Sequence, residues 1–442
     1  MTAVQPGEKK LGLWTTTSLV IGNMIGAGIF LLPATLASFG SISLLGWIVS
    51  SIGALLLAMV FSRLSKLLPN ADGGPYAFTK SSFGNFAAFL VAWGYWISCW
   101  TSNAAIAVSL VSALSVFFPL LAANSMAAIL TGLGAIWLLT WINTRGIRES
   151  GKLQLATTIL KLVPLALVSV GGLFFIHWKN FLPVNISGSS DFSAVTASAA
   201  LTFFAFLGME CATIPAGNVK NPARTIPRAT LIGTLITTLL YIMGTISLLG
   251  IIPARTLQKS GAPFADAAAI IWGESARYWV GAGVAIAAFG ALNGWILIQA
   301  QISSSMAKDK LFPAIFCKEN KNKSPGQGLA IGSILISLCM LMNFAKGLVD
   351  QFQLLVLLTI LTNLIPYLFS VAAYIMFIRR QKETGLSGWI KALTLAIPAF
   401  LFCVWAIVGS GKTVVLDGSL LLIAGIPFYF WLIRGKKTPK AD

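Results

Sequence analysis

Val20-Ile21-Gly22-Asn23-Met24-Ile25-Gly26-Ala27-Gly28-Ile29-Phe30 is the stretch whose reading decides the fold. It lies inside an apolar run long enough to cross a hydrocarbon core of about 30 Å, yet it places three glycines within seven residues. Glycine weakens a helix and leaves no side chain to screen the backbone. The run therefore reads as two half-helices joined by an unwound link. Free N–H groups near Gly26 to Gly28 make a seat for a carboxylate, because the N-terminus of a half-helix carries partial positive charge. A second interrupted run, Phe203-Phe204-Ala205-Phe206-Leu207-Gly208-Met209-Glu210-Cys211-Ala212, follows five spans later. Here a glycine and an acidic residue make the break. Interruptions at matching places in two halves of a chain point to inverted repeats with a binding site between them. Close helix packing through small residues is the competing reading, and Gly22 and Gly26 have the spacing for it. Breaks in both halves, with an acid beside one of them, favour the unwound reading.

The rest of the chain agrees with a lipid solvent. Of 442 residues, 57% are hydrophobic and 10% charged, against roughly 25% charged in soluble chains. A water-soluble protein this apolar would expose large greasy patches. Apolar runs recur at about 12–38, 42–67, 85–117, 125–142, 153–176, 194–217, 229–252, 278–306, 328–344, 352–378, 389–409 and 413–433, with boundaries uncertain by several residues. The expectation is one all-α integral membrane transport domain over 1–442 with twelve transmembrane helices. Spans 1 and 6 are broken, inverted five-helix repeats cover about 11–176 and 194–378, and accessory helices cover about 389–433.

The formal charge of +18 invites a nucleic-acid reading. The placement of the charge argues against it. Of 31 Lys and Arg residues, 24 lie on the side of the N-terminus and six on the other side, with Lys161 deep inside a span. That asymmetry follows the positive-inside pattern and puts both termini in the cytoplasm. The basic residues then set topology and hold anionic lipid head groups; no nucleic-acid partner is expected. The polar stretch Met1 to Lys10 precedes a run without an A-x-A cleavage pattern, so that run reads as the first span and not a removed leader. Cys99, Cys211, Cys317, Cys339 and Cys403 form no C-x-x-C, and His177 is the one histidine. Neither a disulfide framework nor a metal site is expected. No nucleophile–base constellation, HExxH or Walker motif marks an enzyme, and no cofactor is implied.

Several stretches together resemble the amino acid–polyamine–organocation superfamily, and within it the basic amino acid and polyamine antiporters. They are Gly22 to Gly28 followed by Phe30-Leu31-Leu32-Pro33-Ala34, then Gly73-Gly74-Pro75-Tyr76-Ala77, and Tyr95-Trp96-Ile97-Ser98-Cys99-Trp100-Thr101-Ser102-Asn103. Val219-Lys220-Asn221-Pro222-Ala223-Arg224, Gly294-Trp295, Ile365-Pro366-Tyr367 and Trp405-Ala406-Ile407-Val408-Gly409-Ser410-Gly411 complete them in order. The resemblance implies exchange by alternating access in a bacterial inner (cytoplasmic) membrane, with an amino acid or amine as substrate, and it raises a homodimer. It implies that Ile25, Gly26, Ala27 and Gly28 hold the substrate carboxylate. The span 6 backbone from Phe204 to Leu207 takes the α-amino group, and Trp295 stacks on the side chain. Asn103, Thr359 and the Ser98–Cys99 wall line the far end. Tyr95, Glu210, Asn363 and Tyr367 belong to gating and proton coupling. Members that exchange arginine for agmatine carry tryptophan where Phe204 stands, serine at Ala27 and threonine at Asn363. Phenylalanine offers a weaker π-face to a cation than tryptophan.

Two ionisable residues lie at membrane depth, where a charge costs at least about 2.5 kcal/mol and marks function by default. Glu210 is the candidate proton site; a structural hydrogen-bond acceptor is the alternative. Lys161, in Thr158-Ile159-Leu160-Lys161-Leu162-Val163-Pro164, stands where many superfamily members carry a lysine. The resemblance implies that it replaces a sodium ion by bonding the unwound carbonyls of span 1. Snorkelling to the interface is the alternative. The expected function is antiport of a basic, arginine-like amino acid against its amine or another amino acid. The alternative is proton-coupled, sodium-independent transport of neutral amino acids. Exchange in proteoliposomes is expected to stay unchanged when sodium is replaced by choline; strong stimulation by sodium would refute the role given to Lys161.

Overall fold

The computed structural model describes residues 11–26, 28–69, 73–145, 160, 162–213, 216, 219–322, 324–342, 347–381 and 385–434. Ala27 and Lys161, both expected at the site, lie outside the described residues.

Helices dominate because apolar sequence in lipid must satisfy its backbone internally. Span 1 is two helices, α1 (Leu13–Met24) and α2 (Gly28–Ala37), bent by 45° across the glycines. Span 2 is α3 (Ser43–Leu67) and span 3 is α4 (Pro75–Leu114). The latter starts ten residues earlier than the expected 85. Gly84, with φ 79° and ψ −169°, kinks α4 there, so helix lies on both sides of what reads locally as a loop. α5 (Ser125–Thr144) and α6 (Leu162–Phe175) follow. Span 6 is α7 (Asp191–Phe203), which gives way to a 3-10 turn at Phe204–Phe206. Next come α8 (Pro222–Ile251), the short α9 (Pro263–Trp272), α10 (Glu274–Lys308), α11 (Gly326–Leu341) and α12 (Leu348–Arg380). α13 (Leu386–Gly409), α14 (Lys412–Ile423) and α15 (Gly425–Arg434) close the chain.

Among the described residues, nine helices are long and apolar enough to cross a membrane, and the bent pair α1–α2 makes ten. α6 and α11 are apolar but shorter, and they occupy the places expected of spans 5 and 9.

Packing sorts the helices into two groups. In one, α3 lies against α8 and α7, and α1 lies against α8. In the other, α4 packs on α10 and α12, and α11 packs on α5 and α4. Small residues set the closest approaches. A Cβ at Gly46 of α3 would lie 2.9 Å from the Ala199 backbone nitrogen of α7. The chain start is tied to the end of the span 6 region: the Lys220 N–H donates to the Leu11 carbonyl at 2.8 Å.

At the C-terminal end of α10, Asp309 accepts hydrogen bonds from Lys80, at 2.7 Å, and from the Tyr76 hydroxyl. Burial opposes its charge, but these two partners outweigh burial and hold the carboxyl below the usual carboxylate range. The contribution of this contact is present above the ordinary carboxylate pKa and is lost as pH falls through the lower folded value. Both side chains are partly exposed, so it is a modest tie. Among the described residues, no three His, Cys, Asp or Glu side chains gather as a metal site.

Candidate substrate site at the paired helix breaks

α1 ends because the backbone turns away at Ile25, with φ −74° and ψ 75°. The Ile25 N–H still reaches the Ile21 carbonyl at 2.8 Å, and the Gly26 N–H folds back onto the Met24 carbonyl at 2.7 Å. That carbonyl has lost its helical partner and accepts a second bond, from the Tyr241 hydroxyl of α8 at 2.7 Å. Tyr241 is fully enclosed, and its ring lies 5.4 Å from Trp47 and 6.2 Å from Phe206. This aromatic seat aims the hydroxyl at the break. Helix resumes at Gly28, so the N-terminus of α2 faces the link.

The second break is built differently. After the 3-10 turn the chain runs extended at Leu207, and Gly208 takes φ +102°. A side chain rarely adopts that conformation. Gly208 also packs on the first break, since a Cβ there would lie 3.1 to 3.2 Å from backbone and side-chain atoms of Asn23. The two interruptions therefore meet.

Between them is a cavity of about 20 Å³ lined in part by Gly26, Gly28, Phe204, Leu207 and Trp295. Asn23 and Met24, beside the glycines of span 1, and Ser102 and Ile106 of α4 join its wall, though none was singled out in the sequence. A space of that size admits about one water, so the site is contracted. Phe204 narrows it: a Cβ on Gly28 would lie 2.4 Å from the Phe204 ring, which also meets Phe352 of α12 edge-on at 6.1 Å.

Glu210 lies beyond the second break, wholly buried. One carboxylate oxygen accepts from the Tyr95 hydroxyl of α4 at 2.7 Å. The other accepts from the Tyr367 hydroxyl of α12 at 2.6 Å and from the Gly208 N–H at 3.1 Å. Phe61 and Phe203 flank the Tyr367 ring edge-on, at 5.1 and 6.2 Å. One carboxylate thus joins two long helices of the second group to the break of span 6.

Other residues expected at the site are buried nearby but do not line this contracted cavity. Ser98 bonds the Tyr95 carbonyl at 2.8 Å, and Thr359 bonds Thr101 at 2.8 Å. Asn103 donates to Gln299 at 2.9 Å. Cys99 and Ile25 are fully enclosed, and the Asn363 Oδ1 is buried without a partner. Tyr241 and Gln299 escaped the sequence reading. A long amide inside a span is costly to bury, and that was a usable signal for Gln299. Nothing separates Tyr241 from a lipid-facing tyrosine.

A family model described as amino acid permease matches residues 11–429. The cadaverine/lysine antiporter of Escherichia coli K12 is 33% identical over 98% of this chain and 97% of its own length. The putrescine transporter PotE of the same organism is 32% identical over 99% and 98%. PotE of Haemophilus influenzae is 31% identical over 98% of each.

The Tyr241→Phe variant leaves the Met24 carbonyl one donor short in a buried setting. The Gly26 N–H still satisfies that carbonyl, so a loss of about 0.5–1.5 kcal/mol, the net contribution of one hydrogen bond, is expected, read as a lower midpoint of thermal unfolding in detergent. An unchanged midpoint would show that the break does not depend on this hydroxyl.

Proposed function

The chain belongs to the amino acid permease family, and from that premise we propose that it exchanges a basic amino acid for an amine across a bacterial inner membrane. The family is one of membrane transporters and not of enzymes. The observation that carries the reading is the meeting of two helix breaks around one small cavity.

In this reading the N-terminus of α2 and the backbone at Ile25, Gly26, Ala27 and Gly28 take the substrate carboxylate. The carbonyls around Phe204 to Leu207 take the α-amino group. Trp295 lies along the side chain, and Ser98, Cys99, Asn103 and Thr359 form its far wall. A cation there need not meet a carboxylate, because an aromatic face attracts it. Relatives named for lysine, cadaverine and putrescine support cationic cargo. Arginine is a further member of that class.

The packing supports an inverted repeat of spans 1–5 and 6–10 in a twelve-span chain. Exchanging the two repeats maps the α1–α8 contact onto the α3–α7 contact, and leaves α3–α8, α4–α10 and α5–α11 as self-matching pairs. Alternating access then moves the first helix group against the second. The Glu210 bonds to Tyr95 and Tyr367 tie the two groups, and protonation of that carboxylate weakens the tie. Both termini face the cytoplasm in this arrangement.

One observation favours proton-coupled transport of neutral amino acids instead. Both oxygens of Glu210 are engaged, and among the described residues no carboxylate lines the cavity.

Counterflow in proteoliposomes decides between them. Vesicles loaded with lysine, cadaverine, putrescine, arginine or agmatine are expected to take up labelled lysine or putrescine, with little uptake into empty vesicles. Uptake of neutral amino acids alone, independent of any internal amine, would overturn the exchange reading.

A further inference from the structure

Behind the cavity wall two amides meet. Asn103 of α4 is fully buried and Gln299 of α10 is 2% exposed. The Asn103 Nδ2 donates to the Gln299 Oε1 at 2.9 Å. The pair sits one layer behind the site: Ser102 and Ile106, on either side of Asn103 in α4, line the cavity, as does Trp295, one helical turn before Gln299.

The hydrogen bond uses one group from each amide and leaves two behind. The Asn103 Oδ1 and the Gln299 Nε2 are both buried without a partner. They are not equivalent. The Gln299 Nε2 presses on α11, where a Cβ at Gly332 would lie 2.2 Å from it. Gly332 is the gap into which the end of the glutamine fits, so that N–H group is turned towards a neighbouring helix. On the α4 side the Asn103 Oδ1 is the hydrogen-bonding atom that remains. A buried carbonyl oxygen without a donor is unfavourable and is relieved by a ligand that brings an N–H.

We propose that Gln299 is a positioning residue for substrate selection: it pins the Asn103 amide so that the carbonyl oxygen faces the substrate's far end and accepts from a distal ammonium. This rests on the assignment of Asn103 to the far wall made above. The preference for a cationic end group then comes from a fixed neutral acceptor and does not require a carboxylate in the cavity. A site built to hydrogen-bond a substrate N–H discriminates strongly against an analogue that lacks it. A merely structural amide pair, joining α4 to α10 as polar contacts do in membranes, would not affect that discrimination.

Lysine and norleucine share their α-carboxylate, α-amino group and aliphatic chain, and differ in the ε-ammonium. The test is inhibition of labelled-lysine exchange in proteoliposomes by each unlabelled compound, reported as the ratio of the two inhibition constants. Gln299→Met is expected to shrink the preference for lysine about tenfold while the maximal exchange rate is largely kept. Gln299→Glu keeps an oxygen for the Asn103 amide and is expected to hold the ratio within about threefold of wild type. Asn103→Ala is expected to shrink the ratio as well, and adding Gln299→Met to it should change nothing further, because the glutamine acts through the asparagine. The proposal is overturned if Gln299→Met lowers only the rate, if Gln299→Glu behaves like Gln299→Met, or if the two effects add. If Asn103→Ala itself leaves the ratio unchanged, the assignment of Asn103 to the far end is wrong and the proposal falls with it.

Discussion

The arrangement depends on one buried carboxylate. Glu210 is acidic, fully enclosed and surrounded by apolar helices, a setting in which a lone charge is prohibitively unfavourable. It is tolerated because three donors converge on it: two tyrosine hydroxyls and a backbone N–H. Hydrogen bonds to an ionised acceptor are roughly twice as strong as neutral ones. Each donor comes from a different place, namely α4, α12 and the unwound segment after α7. The position of the second break is thereby coupled to two helices that belong to the other packing group.

The substrate cavity is a consequence of that coupling and of glycine. Once Gly208 is fixed by the carboxylate, its backbone rests on Asn23, and the break of span 1 has a wall to face. Phe204 then falls onto Gly28, where only the absence of a side chain leaves room. The freed carbonyl of Met24 is taken up by Tyr241, and the N-terminus of α2 at Gly28 faces the link. What results is a contracted cavity with space for about one water. On the proposed function, substrate has to displace Phe204 and separate the breaks, which would link binding to the contacts that hold the helices in register. A ligand shifts such an equilibrium only by its differential affinity for the two states. On the proposed function the contracted geometry would provide that difference, because both helix breaks line the cavity.

Much of this was legible in the sequence because the constraints are local. Glycines at Gly26, Gly28 and Gly208 read as breaks for the reason they are breaks: backbone without side chains. Glu210 stood out because an acid at membrane depth needs partners. The start of span 3 was placed late, at about 85, whereas the helix begins at Pro75 and bends at Gly84. Tyr241 was not legible. Its importance comes from a carbonyl 217 positions away in the chain, and no local pattern distinguishes it from a tyrosine facing lipid. Gln299 lay between these cases. Its cost was visible in the sequence, whereas its partner Asn103 and the notch at Gly332 emerge only when three helices are packed together.

The central claim is that the Glu210 carboxylate ties the two helix groups and that its protonation loosens them. The most direct measurement is the rate of exchange in proteoliposomes from pH 7.5 to pH 5, for the wild type and for Glu210→Gln, which keeps the shape, stands in for the neutral protonated acid and cannot gain a proton. The account predicts that wild-type exchange rises in acid and that the variant has a flat profile. A variant that keeps the full wild-type rise in acid would place the proton response elsewhere and contradict it.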